Sequence, residues 1–231
     1  MCGRFRFTSS PEAVGRHFDL VIRGNFPPRY NVAPTQPIAV IRTDNRRERE
    51  FELVRWGFIP SWANEDYFEE TGGKPLINAR GDTVAVKPTF RHAFRRRRCL
   101  VPADGFYEWR SEKGVRQPYL ISPAAGGLFS LAGLWETARD QDGGEIDTAA
   151  IITTEAGTDL SALHSREPVV IEPGDYERWL DPDEASTDAA LALIGARPPE
   201  WWTYQPVSTA VNNARNEGEA AAQAIGQREI F

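Results

Sequence analysis

The sequence predicts an α+β fold, a single domain in which a strongly curved, mostly antiparallel, barrel-like β-sheet carries peripheral helices. Two observations lead to this expectation. Five segments have the β-branched and aromatic composition and the turn-residue boundaries of strands, at residues 38–42, 51–58, 119–122, 129–135 and 148–154. Helical patterns are found at residues 10–20, 175–180 and 188–194.

The first helix has a clear N-terminal signal. Ser10 is a favourable N-cap, Pro11 suits the first helical position, and Glu12 places an acid near the positive end of the helix dipole. The helix is expected to run to about Leu20. After it, prolines at positions 27, 28, 34 and 37 predict an irregular stretch, and residues 138–144 predict a hairpin or loop.

The length of 231 residues and the hydrophobic content of 41% indicate one substantial core. There is no internal repeat and no linker long enough to divide the chain. We therefore expect one domain over residues 1–216, followed by an Ala/Gln/Glu-rich tail, residues 217–231, that is poorly ordered. The sequence has no run of about 18 apolar residues and no secretory signal, so we expect a cytoplasmic monomer without membrane contact.

Cysteine usage predicts neither disulfides nor a metal site. Only Cys2 and Cys99 occur, and their spacing relative to the three histidines does not resemble a zinc site. No metal is therefore expected, and Cys99 is interpreted as core filler.

The formal net charge of −6 argues at first against a nucleic-acid partner, but the charge is unevenly distributed. Residues 1–139 carry 22 basic and 15 acidic side chains, whereas residues 140–231 carry 5 and 18. Residues 80–100 contain seven basic side chains and a single acid, Asp82. This segment is interpreted either as a track for phosphates or, for the run of four arginines at 95–98, as a solvated face.

The N-terminal Met1-Cys2-Gly3-Arg4 forms the first chemical motif. Methionine is normally removed when the next residue is small, and Cys2 would then carry a free α-amine and a thiol on adjacent carbons. The amine, with an ordinary pKa of about 7.7–8.0, attacks an aldehyde to give an imine, and the thiol then closes a five-membered thiazolidine. The alternative interpretation is an incidental, partly exposed cysteine.

A carboxylate among aromatic residues forms the second motif. Glu108 lies between Tyr107 and Trp109 on a strand that follows an Asp-Gly turn. Apolar surroundings would keep it protonated near neutral pH and suit it for general acid catalysis. Period-two alternation leaves open a solvent-facing position, with the two aromatic neighbours pointing inward.

Two further polar motifs occur beside predicted strands. His164 lies in a loop before an apolar segment, where proton transfer is possible and where Arg166 could bind a phosphate. Asn78 can both donate and accept hydrogen bonds, and Arg80 follows it on the same side of a strand. The alternatives are a structural or solvated histidine and an asparagine that serves a turn.

Taken in order, these motifs closely resemble the SRAP family, named for an SOS response-associated peptidase. The resemblance extends over nearly the whole chain. Its landmark segments are residues 1–4, 29–35, 56–60, 78–80, 99–109, 133–136, 153–154, 164–168 and 211–213.

The resemblance implies a function and a set of catalytic residues. Cys2 would form a thiazolidine with the ring-opened aldehyde of an abasic deoxyribose in single-stranded DNA, a single-turnover crosslink that shields the lesion. Asn78 would position the amine and the sugar, Glu108 would shuttle protons during ring opening and dehydration, and His164 would exchange protons with the sugar oxygens or the imine. Self-removal of Met1, a secondary lyase activity and association with the nucleoid on binding DNA belong to the same expectation, which includes no cofactor.

The resemblance also implies DNA contacts of two main kinds. Arginines would bind phosphates, and a tryptophan with a proline would support or wedge the strand beside the lesion. A threonine is expected close to the same pocket. In this sequence they are Arg4, Arg80 and Arg166, then Trp62 with Pro34, and finally Thr153.

The sequence departs from the family pattern at two positions near these motifs. Asp82 stands where the family commonly has glutamate, so any contact made there is expected to be lost or rearranged. Glu167 replaces the usual methionine and is expected to place negative charge near the DNA channel and to weaken binding.

Two competing functions remain. The first is a cysteine peptidase that uses Cys2 as an N-terminal nucleophile. The second is a reversible binding module for a modified or single-stranded base, which would use the basic segment and Trp62 and would not need Cys2.

Overall fold

The computed structural model describes residues 2–112, 114–140, 143–183, 187–226 and 229–230. The predicted removal of Met1 concerns a residue outside these ranges. The strands are β1 (Phe5–Phe7), β2 (Arg29–Val32), β3 (Pro37–Thr43), β4 (Arg49–Trp56), β5 (Asn78–Arg80), β6 (Arg98–Ala103), β7 (Gly105–Glu112), β8 (Val115–Pro123), β9 (Phe129–Arg139), β10 (Glu145–Glu155), β11 (Arg166–Pro168), β12 (Trp202–Pro206) and β13 (Glu229–Ile230). The helices are α1 (Pro11–Phe18), α2 (Glu65–Thr71), α3 (Arg91–Arg96), α4 (Thr158–Ser161), α5 (Tyr176–Leu180) and α6 (Thr187–Leu191), with 3-10 turns at Pro173–Asp175, Thr209–Asn212 and Glu219–Ala222.

Five strands close into a barrel in the order β10, β4, β3, β6, β9, and β9 pairs again with β10. The β10–β4 pair is parallel, with Thr148 opposite Arg55, and the other pairs in the barrel are antiparallel. Closure removes the unpaired edges that an open sheet would present. The predicted curved, mostly antiparallel, barrel-like sheet with peripheral helices is confirmed.

The second half of β10 extends past the residues that pair with β4 and carries two short strands. β5 pairs in parallel with one edge, with Ile151 opposite Asn78, and β11 pairs antiparallel with the other, with Glu155 opposite Arg166. This arrangement brings β5 and β11, which are far apart in sequence, to the same end of the barrel.

The second sheet has the order β13, β12, β8, β7, β1, β2 and is antiparallel throughout. Phe106 of β7 packs into the main core, whereas its neighbour Tyr107 packs into a smaller cluster with Val207 and Val211 of the C-terminal segment. Strand β7 is therefore covered on both faces.

The predicted elements are found with shifted ends. The five predicted strands overlap β3, β4, β8, β9 and β10. The hairpin or loop predicted at residues 138–144 lies between β9 and β10, which pair antiparallel, and its residues 141–142 are outside the described ranges. Helix α1 begins as expected, because the Ser10 hydroxyl accepts a hydrogen bond from the Ala13 N–H at 3.3 Å. It ends two residues before Leu20, because Asp19 adopts the left-handed conformation at φ 52°.

Several elements lacked a recognisable pattern. β2 lies in the stretch predicted to be irregular, and β1, α2 and α3 were not predicted at all. β6 has no polar alternation, since all six of its residues are buried.

Neither interpretation of the arginine run holds for Arg98, which is buried at 3% exposure. Its guanidinium donates to the carbonyl oxygens of Phe94 at 2.5 Å, Trp179 at 2.6 Å and Arg95 at 3.1 Å, and also to that of Asp181. Burial lowers its pKa to about 10. Arg98 is therefore a structural cation that joins the ends of α3 and α5.

The first part of the segment predicted to be a tail has a defined place. Residues Glu219–Ala222 form a 3-10 turn in which Ala221 is buried, and Ile225 donates a backbone hydrogen bond to Pro206 at 3.0 Å. The domain limit at residue 216 remains a prediction. No helix within the described residues is both long enough and apolar enough to span a membrane.

The network around Arg98 gives the first testable prediction. We expect Arg98→Met to lower the free energy of unfolding by about 3 kcal/mol, because several buried carbonyls lose a charged donor. Urea unfolding measures this change, with Arg91→Met on the exposed face of α3 as the control. Equal effects of the two substitutions would contradict the structural role of Arg98.

Candidate active site

The start of the chain is held beside β7. The Tyr107 N–H donates to the Arg4 carbonyl at 2.9 Å, continuing the register in which Phe5 faces Phe106. Residues before Arg4 consequently run toward Glu108. Cys2 is fully buried, which excludes its interpretation as a partly exposed cysteine.

Asn78 binds the backbone of Cys2. Its Nδ2 donates to the Cys2 carbonyl oxygen at 3.0 Å, and the pairing of β5 with β10 fixes the position of its backbone. The Asn78 Oδ1 is buried and has no hydrogen-bond partner among the described residues. An amide acceptor therefore remains available next to the reactive residue.

Glu108 is buried at 6% exposure, which excludes the solvent-facing position. Burial raises the pKa of Glu108, and the nearby His164 opposes this shift. Burial also raises the pKa of the Cys2 thiol, and the charge of Glu108 raises it further. The thiol is therefore protonated at neutral pH, and its proton has an acceptor close by.

His164 is oriented by the backbone of the residues that follow it. Its ring Nδ1 lies 3.0 Å from the Arg166 backbone nitrogen and 3.2 Å from the Arg166 carbonyl oxygen, and the backbone N–H of His164 donates to the Leu160 carbonyl at 2.9 Å. Nδ1 can accept from the Arg166 N–H in one tautomer and donate to the Arg166 carbonyl in the other, so the backbone of Arg166 holds the ring in either case.

The four residues predicted to be catalytic come from four separate segments. The start of the chain supplies Cys2, β5 supplies Asn78, β7 supplies Glu108, and the loop before β11 supplies His164. Hydrogen bonding and electrostatic interaction connect them in one cluster. The cluster combines a thiol, an amide, a carboxyl group with a raised pKa and an oriented imidazole, which is a set suited to proton transfer around a nucleophile.

The three predicted phosphate-binding arginines all make contacts within the chain. Arg80 pairs with the exposed Asp82, and Arg166 donates to the hydroxyl of Thr153 at 3.1 Å and to its carbonyl oxygen. Thr153 is fully buried between these two arginines, opposite Arg80 in the β5–β10 register. Thr153 therefore contributes to holding Arg166 in place.

Arg4 connects the start of the chain to its C-terminal segment. Its guanidinium donates to the Asn31 Oδ1 at 2.8 Å and to the Val211 carbonyl at 2.9 Å, and it lies over the Trp109 ring. The buried Asn31 in turn donates to the carbonyls of Val211, Asn213 and Asn216. Asn31 lies in the segment at residues 29–35 that resembles the family, but no role was predicted for it. A polar amide between Tyr30 and Val32 was the sequence feature that could have indicated one.

The expectation for Glu167 was wrong. Its side chain is fully buried, and its carboxylate accepts the backbone N–H groups of Gly157 and Arg197, each at 2.8 Å. Burial raises the pKa of Glu167. It cannot place an exposed negative charge beside a DNA channel.

Trp62 and Pro34 lie in loops at the same end of the β3–β4 pair, where β3 begins and β4 ends. Trp62 is 55% exposed in the loop between β4 and α2, and its ring packs edge-on against Tyr67 at 5.3 Å. Pro34 precedes Thr35, whose backbone has φ 72° and donates to the Trp56 carbonyl at 2.8 Å. A contact of either residue with a DNA strand remains a prediction.

Cys99 is fully buried, as expected for core filler, and its sulfur lies next to Gly133, where a Cβ would be only 2.8 Å away. Within the described ranges, no group of three or more His, Cys, Asp or Glu side chains is arranged to hold a metal ion.

The raised pKa of Glu108 predicts a specific pH dependence of stability. The pKa of Glu108 in the folded state lies above its ordinary value of 4.5. The stabilisation from protonated Glu108 is therefore present at low pH and declines as the pH rises through the folded pKa. We expect the wild type to lose more unfolding free energy than Glu108→Gln over this rise. Urea unfolding at a series of pH values measures both, and parallel curves would contradict the shift.

Comparison with known proteins gives a consistent result. A family model described as SOS response associated peptidase (SRAP) matches residues 1–214. Abasic site processing protein YoaM of Bacillus subtilis is 36% identical over 220 residues, covering 94% of this chain and 95% of the relative. The corresponding protein HMCES of Xenopus tropicalis is 33% identical, covering 97% of this chain and 78% of the relative.

A crystal structure of a Bordetella bronchiseptica protein superposes with a TM-score of 0.76 at 27% identity, covering 90% of this chain and all of that one. A Bacteroides thetaiotaomicron structure reaches 0.77 at 25% identity, covering 96% of this chain and all of that one. The family that the motifs resemble is thus confirmed: the chain belongs to the SOS response associated peptidase (SRAP) family.

Proposed function

We propose that this protein captures abasic sites in single-stranded DNA by forming a thiazolidine with Cys2, after Met1 has been removed. The observation that carries the proposal is the burial of Cys2 in one cluster with Asn78, Glu108 and His164. The names of the relatives, abasic site processing proteins from bacteria and vertebrates, support the same substrate.

The first chemical step joins the amine to the lesion. The abasic sugar opens to its aldehyde, and the Cys2 amine adds to the carbonyl carbon to give a carbinolamine. Protonated Glu108 donates a proton to the departing hydroxyl group, water leaves, and a protonated imine results beside the Glu108 carboxylate. The raised pKa of Glu108 suits it to this step because it keeps the acid form at higher pH.

The second step closes the ring. The Cys2 sulfur adds to the imine carbon, the carbon–sulfur bond forms, and the imine nitrogen becomes an amine. The thiol proton passes to the Glu108 carboxylate, which gave up its proton in the first step, while the nitrogen of the protonated imine takes the electron pair and becomes a neutral amine. The sum is aldehyde plus aminothiol giving thiazolidine plus water, so no oxidant or cofactor enters.

Asn78 and His164 would orient the reactants. Asn78 holds the Cys2 carbonyl, which fixes the direction of the amine, and its free Oδ1 can accept a hydrogen bond from the amine or the sugar. The Nδ1 of His164 is held by the Arg166 backbone, so the tautomer that carries its proton on Nε2 can donate to a sugar oxygen. Without the ring closure, the imine would permit strand cleavage by β-elimination, which we include as a secondary lyase activity.

Peptidase activity enters the proposal only as self-removal of Met1, in which Glu108 and His164 would assist. A general cysteine peptidase needs a thiolate nucleophile, and thiolates occur where the thiol pKa is lowered. Burial instead raises the pKa of the Cys2 thiol, so turnover of unrelated peptides is disfavoured.

We propose that the protein acts as a cytoplasmic monomer that joins the nucleoid when it is bound to DNA.

Crosslinking to DNA tests the proposal directly. The trimmed protein, incubated with single-stranded DNA containing an abasic site, should give a shifted band that persists on a denaturing gel. Cys2→Ala should give no stable band but should be trapped on addition of borohydride, because the amine still forms an imine. Absence of the wild-type band, or a Cys2→Ala band of full strength without borohydride, would end the proposal.

Glu108→Gln tests the proton transfer. With trimmed protein at saturating DNA, we expect the crosslinking rate to fall by about a hundredfold or more, because the general acid is lost. Glu177→Gln, an exposed acid on α5, is the matched control and should keep the wild-type rate. An unchanged rate in Glu108→Gln would refute the assigned role.

The same variant separates self-removal of Met1 from removal by another enzyme. Glu108→Gln produced without methionine aminopeptidase should retain Met1, as measured by intact mass. Full trimming of this variant would argue against self-cleavage and leave the crosslinking proposal intact.

A further inference from the structure

A tight turn directs Asp82 back toward Arg80. The Thr83 N–H donates to the Arg80 carbonyl at 3.1 Å, which closes a turn over residues 80–83. Gly81 lies in the turn and donates its backbone N–H to the Thr153 carbonyl at 2.8 Å. A larger residue would not fit there, because a Cβ at Gly81 would lie 2.5 Å from the Ile194 side chain. The turn is thus fixed to the end of the barrel at the point where β5 leaves the site.

The carboxylate of Asp82 occupies the fork of the Arg80 guanidinium. Nε donates to Oδ1 at 3.1 Å and an Nη donates to Oδ2 at 2.5 Å. This two-point contact is the one that arginine offers to phosphate oxygens. Both side chains are largely exposed, at 60% and 48%, so a strand passing the site can reach them.

The charged groups that interact with Arg80 and Asp82 include one further cation, Arg166. Arg166 is bound to Thr153, and the charges near Arg80 include Glu155 as well as Asp82. Two cations and two anions therefore balance at the place where the backbone of a DNA strand is expected.

We propose that Asp82 competes with DNA phosphate for Arg80, so that a phosphodiester must displace the carboxylate before it can bind. This inference rests on the proposed DNA substrate. The competition weakens reversible binding to every strand, damaged or intact, and leaves the covalent step at Cys2 to decide which strand is retained. Asp82 thereby shortens the time that intact DNA stays bound, while a strand joined to Cys2 is retained.

The experiment measures the dissociation constant for single-stranded DNA that carries a tetrahydrofuran abasic analogue, which lacks the aldehyde and cannot crosslink. Four proteins are compared: wild type, Asp82→Asn, Arg80→Gln and the double variant. We expect Asp82→Asn to bind about twofold to fivefold tighter than wild type, the range that corresponds to loss of one surface ion pair. In the Arg80→Gln background the same change should have little effect.

Asp19→Asn is the matched control, because it removes one exposed negative charge and asparagine accepts the left-handed backbone at that position. It should bind as wild type does. No tightening in Asp82→Asn would overturn the inference, and so would equal tightening with and without Arg80, since that result indicates a long-range charge effect. If the wild type still crosslinks abasic DNA when one of these two results is found, only the role of Asp82 is refuted and the proposed function stands. If the wild type neither binds nor crosslinks, the proposed function and the role of Asp82 are both refuted.

Discussion

The backbone hydrogen bond between Tyr107 and the Arg4 carbonyl holds the first residues of the chain inside the fold. Chain termini are usually exposed and poorly ordered unless a sheet holds them. Here β1 pairs with β7 on one side and β2 on the other, and Cys2, which precedes β1, is bound by Asn78 of β5. The position of Cys2 therefore depends on two sheets, and the chemistry of the site depends on that position.

Burial gives the site its protonation states as well as its geometry. The Cys2 thiol and the Glu108 carboxyl are both removed from water, and for both groups this raises the pKa. Two neutral acids side by side cost less than two buried anions would. The site is thus built to pass a proton between neighbours, and the amine, whose lone pair does not require a negative charge, is the suitable first nucleophile.

Features that depend only on residues adjacent in sequence could be predicted from the sequence alone. The start of α1 followed from Ser10 and Pro11, and the chemistry proposed for Cys2 rests on its place after Met1. β6 was missed because strands buried on both faces show no alternation. Glu108 was ambiguous for a similar reason: β7 is covered on both faces, so alternation could not assign its side chain to the interior.

The remaining errors concern partners that are distant in sequence. Arg98 binds carbonyls more than 80 residues away, and Glu167 binds the Arg197 N–H 30 residues away. A charged side chain in the sequence suggests exposure, and only the tertiary structure shows the donors and acceptors that permit burial. The resemblance to a family supplied the order of the motifs but not these contacts.

The network of Arg4 and Asn31 has a practical consequence for anyone who prepares this protein. It ties residues near the start of the chain to the carbonyls of Val211, Asn213 and Asn216. A fusion partner or affinity tag placed ahead of Cys2 would enter a packed interior and block the amine at once. Labels for imaging or purification should therefore be attached away from the start of the chain.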